Sequence, residues 1–158
     1  MYALLGGAVS VDSVDSSKPS LNILEQNIRL NGELKGTHRT HCQDCFEFLG
    51  QNEKKYDVII VDPPAFVKHR KSIDAGLRAY QSLNEQAMTH LRPSGLLLTF
   101  SCSQLVTAEM FTQMLQRACV RKQKEPQLVS KFTQSPCHTQ KLQHPEGTYL
   151  KGAALWFY

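Results

Sequence analysis

Tyr56-Asp57-Val58-Ile59-Ile60-Val61-Asp62-Pro63-Pro64-Ala65-Phe66, with its counterpart Leu96-Leu97-Leu98-Thr99-Phe100-Ser101-Cys102-Ser103, decides how this chain folds. Each is a short, nearly continuous apolar run rich in β-branched or aromatic residues, the pattern of a parallel strand buried on both faces. Each ends in polar chemistry. Pro63 and Pro64 cannot donate to a sheet ladder and fix their own φ, so the chain must leave the first strand in a stiff, extended turn. The ligand crevice of an open α/β sheet lies outside the carboxyl ends of its strands, so Asp62-Pro63-Pro64 and Ser101-Cys102-Ser103 are expected to face one pocket. On its own, Asp-Pro-Pro is as often an ordinary strand-ending turn, and a free cysteine is usually a small buried hydrophobe. Two hydroxyl residues flanking Cys102 at the crevice argue for a thiol that does chemistry.

Working outward, residues 9–14 alternate apolar and polar like a strand closed by Asp15. Ser16-Ser17-Lys18-Pro19 is a helix-start signal, with a serine to cap free N–H groups and a proline in the first turn. Leu21, Leu24 and Ile28 recur at helical spacing until Asn31-Gly32 stops the helix. Residues 37–42 read as a short strand leading to Asp44 and a small helix carrying Phe46, Phe48 and Leu49. Residues 72–91 form a helix with Leu77, Tyr80, Leu83, Ala87 and Leu91 on one side, broken by Pro93-Ser94-Gly95. Thr107 caps another helix carrying Met110, Phe111, Met114, Leu115 and Ala118. Residues 126–132 and 149–157 are strands that pair with each other across a loop rich in His, Pro and Gln. This alternation predicts an α/β fold with a mostly parallel sheet and an antiparallel C-terminal strand.

The 158 residues are domain-sized, and 41% hydrophobic with 20% charged content is that of an ordinary globule. No stretch approaches the roughly 18 unbroken apolar residues of a membrane span, so no membrane partner is expected and a cytoplasmic location is the default. Five cysteines without framework spacing fit a reducing compartment. The net charge is +4, but residues 1–85 carry 10 basic and 11 acidic side chains while residues 86–158 carry 8 and 3. The excess in the second part points mildly to a polyanion such as nucleic acid.

Three acids end candidate strands in order: Asp15, Asp44 and Asp62. In doubly wound nucleotide-binding folds the first such acid accepts both ribose hydroxyls of an adenosine cofactor, because a carboxylate can take two hydrogen bonds at once. Asp44 is placed to accept from an adenine amino group, with Cys45 and Phe46 as an apolar wall.

Over nearly its whole length the chain resembles the carboxyl-terminal part of bacterial S-adenosylmethionine (SAM)-dependent large-subunit ribosomal RNA cytosine-5 methyltransferases of the single-cysteine type, which are class I enzymes with a Rossmann-like sheet. The resemblance rests on Ser13-Val14-Asp15-Ser16-Ser17, Asn27-Ile28-Arg29-Leu30-Asn31, the two strand motifs above, and Pro145-Glu146-Gly147-Thr148-Tyr149-Leu150-Lys151-Gly152. Asp-Pro-Pro with a following aromatic is shared by many amino-directed methyltransferases; Ser-Cys-Ser with the closing Lys-Gly motif is specific. The resemblance implies SAM as cofactor, held by Asp15, Ser16, Asp44, Cys45 and Asp62. It implies Cys102 as a nucleophile that adds to cytosine C6, and Asp62 as the group that binds the N3 and amino edge of the base. The partner it implies is ribosomal RNA, with Pro63, Pro64, Phe66, Lys68, Tyr80 and Lys151 as substrate contacts: Phe66 and Tyr80 to receive an unstacked base, and Lys68, Arg70, Lys71 and Lys151 to hold phosphates.

It further implies, ahead of residue 1, a glycine-rich strand and turn for the methionine end of the cofactor, an RNA-binding module and a connecting hairpin. The expectation is therefore one truncated methyltransferase domain over 1–158, its sheet lacking the first strand and glycine-rich loop, and an inactive fragment is one outcome. Two other readings stand beside it: a purine N-methyltransferase in which Cys102 is only structural, and a non-catalytic remnant that forms a homodimer or binds RNA or protein. Cys42-x-x-Cys45 has metal-pair spacing but no second such pair, so no metal is expected.

Overall fold

Strand and helix alternate along the chain as its apolar patterning predicts. The computed structural model describes residues 1–32, 34–144 and 147–158, so the Pro145-Glu146 part of the closing motif lies outside the described residues. They divide into two units, 1–52 and 53–158, at a point where the residue pattern alone marks no boundary.

The first unit runs α1 (Tyr2–Leu5), β1 (Ser10–Val14), α2 (Lys18–Leu30), β2 (Thr37–His41) and α3 (Cys45–Gln51). Ser17 caps α2 by accepting the Ser20 N–H at 3.3 Å, with Pro19 in the first turn where its missing donor matters least. β1 and β2 pair in parallel, with Val14 opposite His41, so both strands end at the same edge. Leu21 is 2% exposed and anchors α2.

The second unit holds β3 (Tyr56–Val61), a 3-10 turn (Arg70–Ser72), α4 (Ile73–Thr89), β4 (Leu91–Ser101), α5 (Ala108–Arg121), β5 (Gln127–Phe132) and β6 (Lys151–Trp156). Its sheet has the order β3-β4-β6-β5, with β3 parallel to β4, and β6 antiparallel to both β4 and β5. The expected pairing of the last two strands is present, with Leu128 opposite Leu155. β4 begins earlier than the break at Pro93-Ser94-Gly95 suggests. The ladder skips from Tyr56–Leu91 to Val58–Leu96, so those residues form a bulge in which Ser94 takes φ 61°.

α4 packs on β3, β4 and α5. The helical stripes supply the core: Tyr80, Leu83, Ala87 and Met88 of α4 meet a layer that includes Leu97, Phe111, Met114 and Ala118, all 3% exposed or less. Across the other strands, Gly152 sits opposite both Phe100 and Phe132, whose rings lie 5.8 Å apart. A Cβ at Gly152 would fall 2.5 Å from the Phe100 ring, so only glycine lets those two rings close over β6.

Candidate active site

β3 and β4 deliver the two groups that the motifs single out. Val61 pairs with Thr99, so Asp62 leaves β3 and Cys102 leaves β4 at the same end of two adjacent parallel strands. Asp62 is exposed, whereas Pro63 directly after it is buried and turns the chain back over the unit. Ser101 and Ser103 are buried at 0% and 1%, and between them Cys102 is only half-buried. The thiol lines a cavity of about 290 Å³ together with Ala65, Val67, Lys68 and Gln104. The loop after Asp62 and the loop carrying Cys102 share one concavity, but Asp62, Pro63 and Pro64 themselves are not among its lining residues.

A buried polar link fixes the two loops to each other. Tyr80, fully buried on α4, has its Oη 2.9 Å from Ser103 Oγ, and Ser103 Oγ in turn accepts the Val67 N–H at 3.1 Å. The Phe66 N–H reaches Tyr80 Oη at 3.4 Å, and the hydroxyl lies at the same distance from the Pro64 carbonyl. Gly76 on α4 makes room for this loop, since a Cβ there would collide with Val67 Cγ2 and come within 3.1 Å of the Phe66 carbonyl oxygen. The expectation that Tyr80 receives an unstacked base is therefore corrected: at 0% exposure its ring belongs to the core. The helical stripe containing Leu83 and Ala87 was the available sign of that. Phe66 remains half-buried, its ring 4.7 Å from that of Tyr80.

Lys151 opens β6 opposite Ser101, one residue from Cys102. Its Nζ donates to the Ser103 carbonyl at 2.6 Å and to the Tyr149 carbonyl at 2.7 Å. Burial pushes its pKa down from the ordinary lysine value, and Cys102 acts in the opposite direction. Its ammonium is thus held against the Cys102 loop by backbone carbonyls, which nothing in the local residue pattern announces. Lys68 is exposed at the cavity mouth, and Arg70 and Lys71 are exposed in the 3-10 turn beyond it. Pro64 is exposed beside buried Pro63.

In the first unit, Asp15 follows β1 and Asp44 follows β2 at the common edge of the parallel pair. Asp15 is exposed, and its Oδ1 accepts the Ser17 N–H at 2.7 Å. Asp44 caps α3 through Oδ1, which accepts the Phe46 and Glu47 N–H groups at 2.8 and 3.3 Å. Ser16 is exposed, and Cys45 opens α3 half-buried, its thiol pKa pushed up by burial and by Asp44. Two exposed carboxylates thus stand at one strand-end edge, each with one oxygen engaged by nearby backbone N–H groups. Beside them lies a pair that the residue pattern did not suggest: Asp12 Oδ1 and His41 Nε2, 3.2 Å apart on neighbouring strands. Among the described residues no cluster of three or more His, Cys, Asp or Glu side chains is arranged to hold a metal ion, and no helix is long and apolar enough to cross a membrane.

Comparison with known proteins places this geometry in context. Residues 1–130 match the model of the methyltransferase small domain family. The chain is 39% identical over 157 residues to a protein of Erwinia tasmaniensis named ribosomal RNA large subunit methyltransferase I, covering 96% of this chain and 39% of that protein. A Klebsiella pneumoniae protein of the same name is 37% identical over 155 residues, with the same coverage. The chain therefore spans about two fifths of the length of the curated relatives it matches. Among solved structures, a Streptococcus mutans protein described as a SAM-dependent methyltransferase superposes with a TM-score of 0.81 at 22% identity, over 98% of this chain and 40% of that one. At that identity the likeness establishes a shared fold, the Rossmann-like sheet of class I methyltransferases.

Proposed function

The chain belongs to the methyltransferase small domain family, and from that premise we propose that it carries the catalytic chemistry of a SAM-dependent methyltransferase acting on C5 of a cytosine in large-subunit ribosomal RNA. The observation that carries this reading is the exit of Asp62 and Cys102 from adjacent parallel strands at one end of the sheet, with the thiol on an open cavity. The names of the curated relatives support ribosomal RNA as substrate class.

Asp15 and Asp44 of the first unit are the residues to hold the ribose and adenine of SAM, with Ser16 and Cys45 of the same unit beside them. When bound, the cofactor supplies an electrophilic methyl group on a sulfonium sulfur. Cytosine C5 is too weak a nucleophile to take that methyl unaided. Addition of the Cys102 thiolate to C6 forms an S–C6 bond and pushes the C5–C6 π electrons toward C5, while Asp62, acting as a carboxylic acid, donates to N3, where charge collects, and accepts from the amino group. Once C5 has taken the methyl group, loss of the C5 proton to a base restores the C5–C6 double bond and expels the thiolate. The base must leave its helical stack to reach the cavity, which is why exposed Lys68 on its lining, and half-buried Phe66 between the lining residues Ala65 and Val67, matter.

The test is to incubate the chain with methyl-labelled SAM and large-subunit ribosomal RNA and to identify the labelled nucleoside by mass spectrometry. The expected product is 5-methylcytidine from the natural chain and none from Cys102→Ala, with Asp62→Asn reduced by about a hundredfold. A labelled purine, or undiminished labelling with Cys102→Ala, overturns the thiol mechanism.

A further inference from the structure

Resting on Cys102 as the reactive group, we propose that Lys151 is a positioning residue whose ammonium, clamped by the Ser103 and Tyr149 carbonyls, favours the thiolate form of Cys102 and holds the loop that carries it.

Three features of the geometry lead there. First, Lys151 is placed by the sheet and not by a loop: it pairs with Ser101 in the antiparallel β4–β6 ladder, so its position relative to Cys102 is set by backbone register. Second, both hydrogen bonds from Nζ go to carbonyl oxygens, at 2.6 and 2.7 Å. A carbonyl accepts a hydrogen bond but carries no formal charge to offset the ammonium, so the cation keeps its charge for a neighbouring anion. Salt bridges to Lys151 are absent among the described residues, although the side chain is half-buried. Third, one of those carbonyls belongs to Ser103, the residue after Cys102, and Ser103 is also tied through its Oγ to Tyr80 and Val67. The ammonium is therefore fixed to the same rigid element as the thiol. A half-buried lysine with no salt bridge among the described residues, held by the backbone of the residue that follows Cys102, is placed to favour a thiolate there. Carbonyl clamping also explains why this lysine is not turned outward as a phosphate contact.

The experiment measures alkylation of each cysteine by iodoacetamide in the natural chain and in Lys151→Gln and Lys151→Arg, read by peptide mass spectrometry across a pH series. Removing the charge is expected to slow Cys102 alkylation at neutral pH about tenfold and to displace its pH profile upward, while arginine restores most of the rate. Exposed Cys42 in the first unit is the internal reference, and its rate should not change. Half-buried Cys119 on α5 reports unfolding, which would speed both Cys119 and Cys102 and so moves the readout the other way. Should the glutamine variant fail to fold, the natural chain still decides: Cys102 must react faster than Cys42 at neutral pH despite being less exposed. Equal Cys102 rates in all three proteins, or a natural Cys102 slower than Cys42, overturns the proposal. This outcome is distinct from failure of the thiol mechanism, which Cys102→Ala tests with RNA; a charge-sensitive Cys102 whose loss leaves methylation intact would leave this inference standing and sink that one.

Discussion

Tyr80 Oη lies 2.9 Å from Ser103 Oγ, wholly inside the protein, and through that bond α4 ties the turn after Asp62 to the turn that carries Cys102. Tyr80→Phe keeps the ring and deletes the bridge. A loss of about 1–2 kcal/mol is expected, the usual effect of removing one partner of a buried hydrogen bond. Ser103→Ala should lose a similar amount, and the double variant less than the two together, because the substitutions remove one shared interaction. Urea unfolding of the four proteins checks this; strict additivity would contradict it.

Gly76→Ala places a methyl group against Val67 Cγ2 and the Phe66 carbonyl. The carbonyl cannot yield cheaply, so a destabilisation of about 1–3 kcal/mol is expected, although alanine is the better helix former. Val67→Ala in the same chain should recover part of it by removing the struck side chain. A Gly76→Ala variant as stable as the natural chain would show that the loop moves freely over α4.

His38 on β2 has Ser13 Oγ 2.9 Å from its Nε2. Burial, assisted by the chain's amino terminus and by His41, lowers its pKa below the ordinary 6.5, while Glu25 and Asp12 act the other way. The unfolded chain then binds more protons than the folded one between that lowered value and 6.5. The stability this contributes is present above 6.5 and is lost as pH falls through that window. Thermal melts at about pH 7.5 and about pH 5.5 should show a drop that His38→Gln reduces. A larger drop in the variant would reverse the sign of the argument.

The elements that hold the reacting groups were legible because their apolar runs are short and nearly continuous, although β3 is not buried on both faces as that pattern implies: Val58 and Ile60 are 51% and 61% exposed. The runs 56–61 and 96–101 are apolar enough to read as strands wherever they sit, and the caps Ser17 and Asp44 act within three residues of themselves. The insertion of β6 between β4 and β5 was not legible, since strand order depends on pairings between residues some fifty positions apart. For the same reason Lys151 read as a surface cation: its partners are the carbonyls of Ser103 and Tyr149, and carbonyls leave no mark in a residue pattern. Tyr80 was correctly placed in the helical stripe, but periodicity does not distinguish a ring that faces a ligand from one that fills the core.

β3 has one neighbour in its sheet, and Val58 and Ile60 along it are 51% and 61% exposed. A naked strand edge with greasy side chains is a template on which other chains can zip up, so stocks of this polypeptide should cloud on standing and keep best when dilute and cold. Ile60→Lys would act as a gatekeeper there, giving a sample that survives concentration.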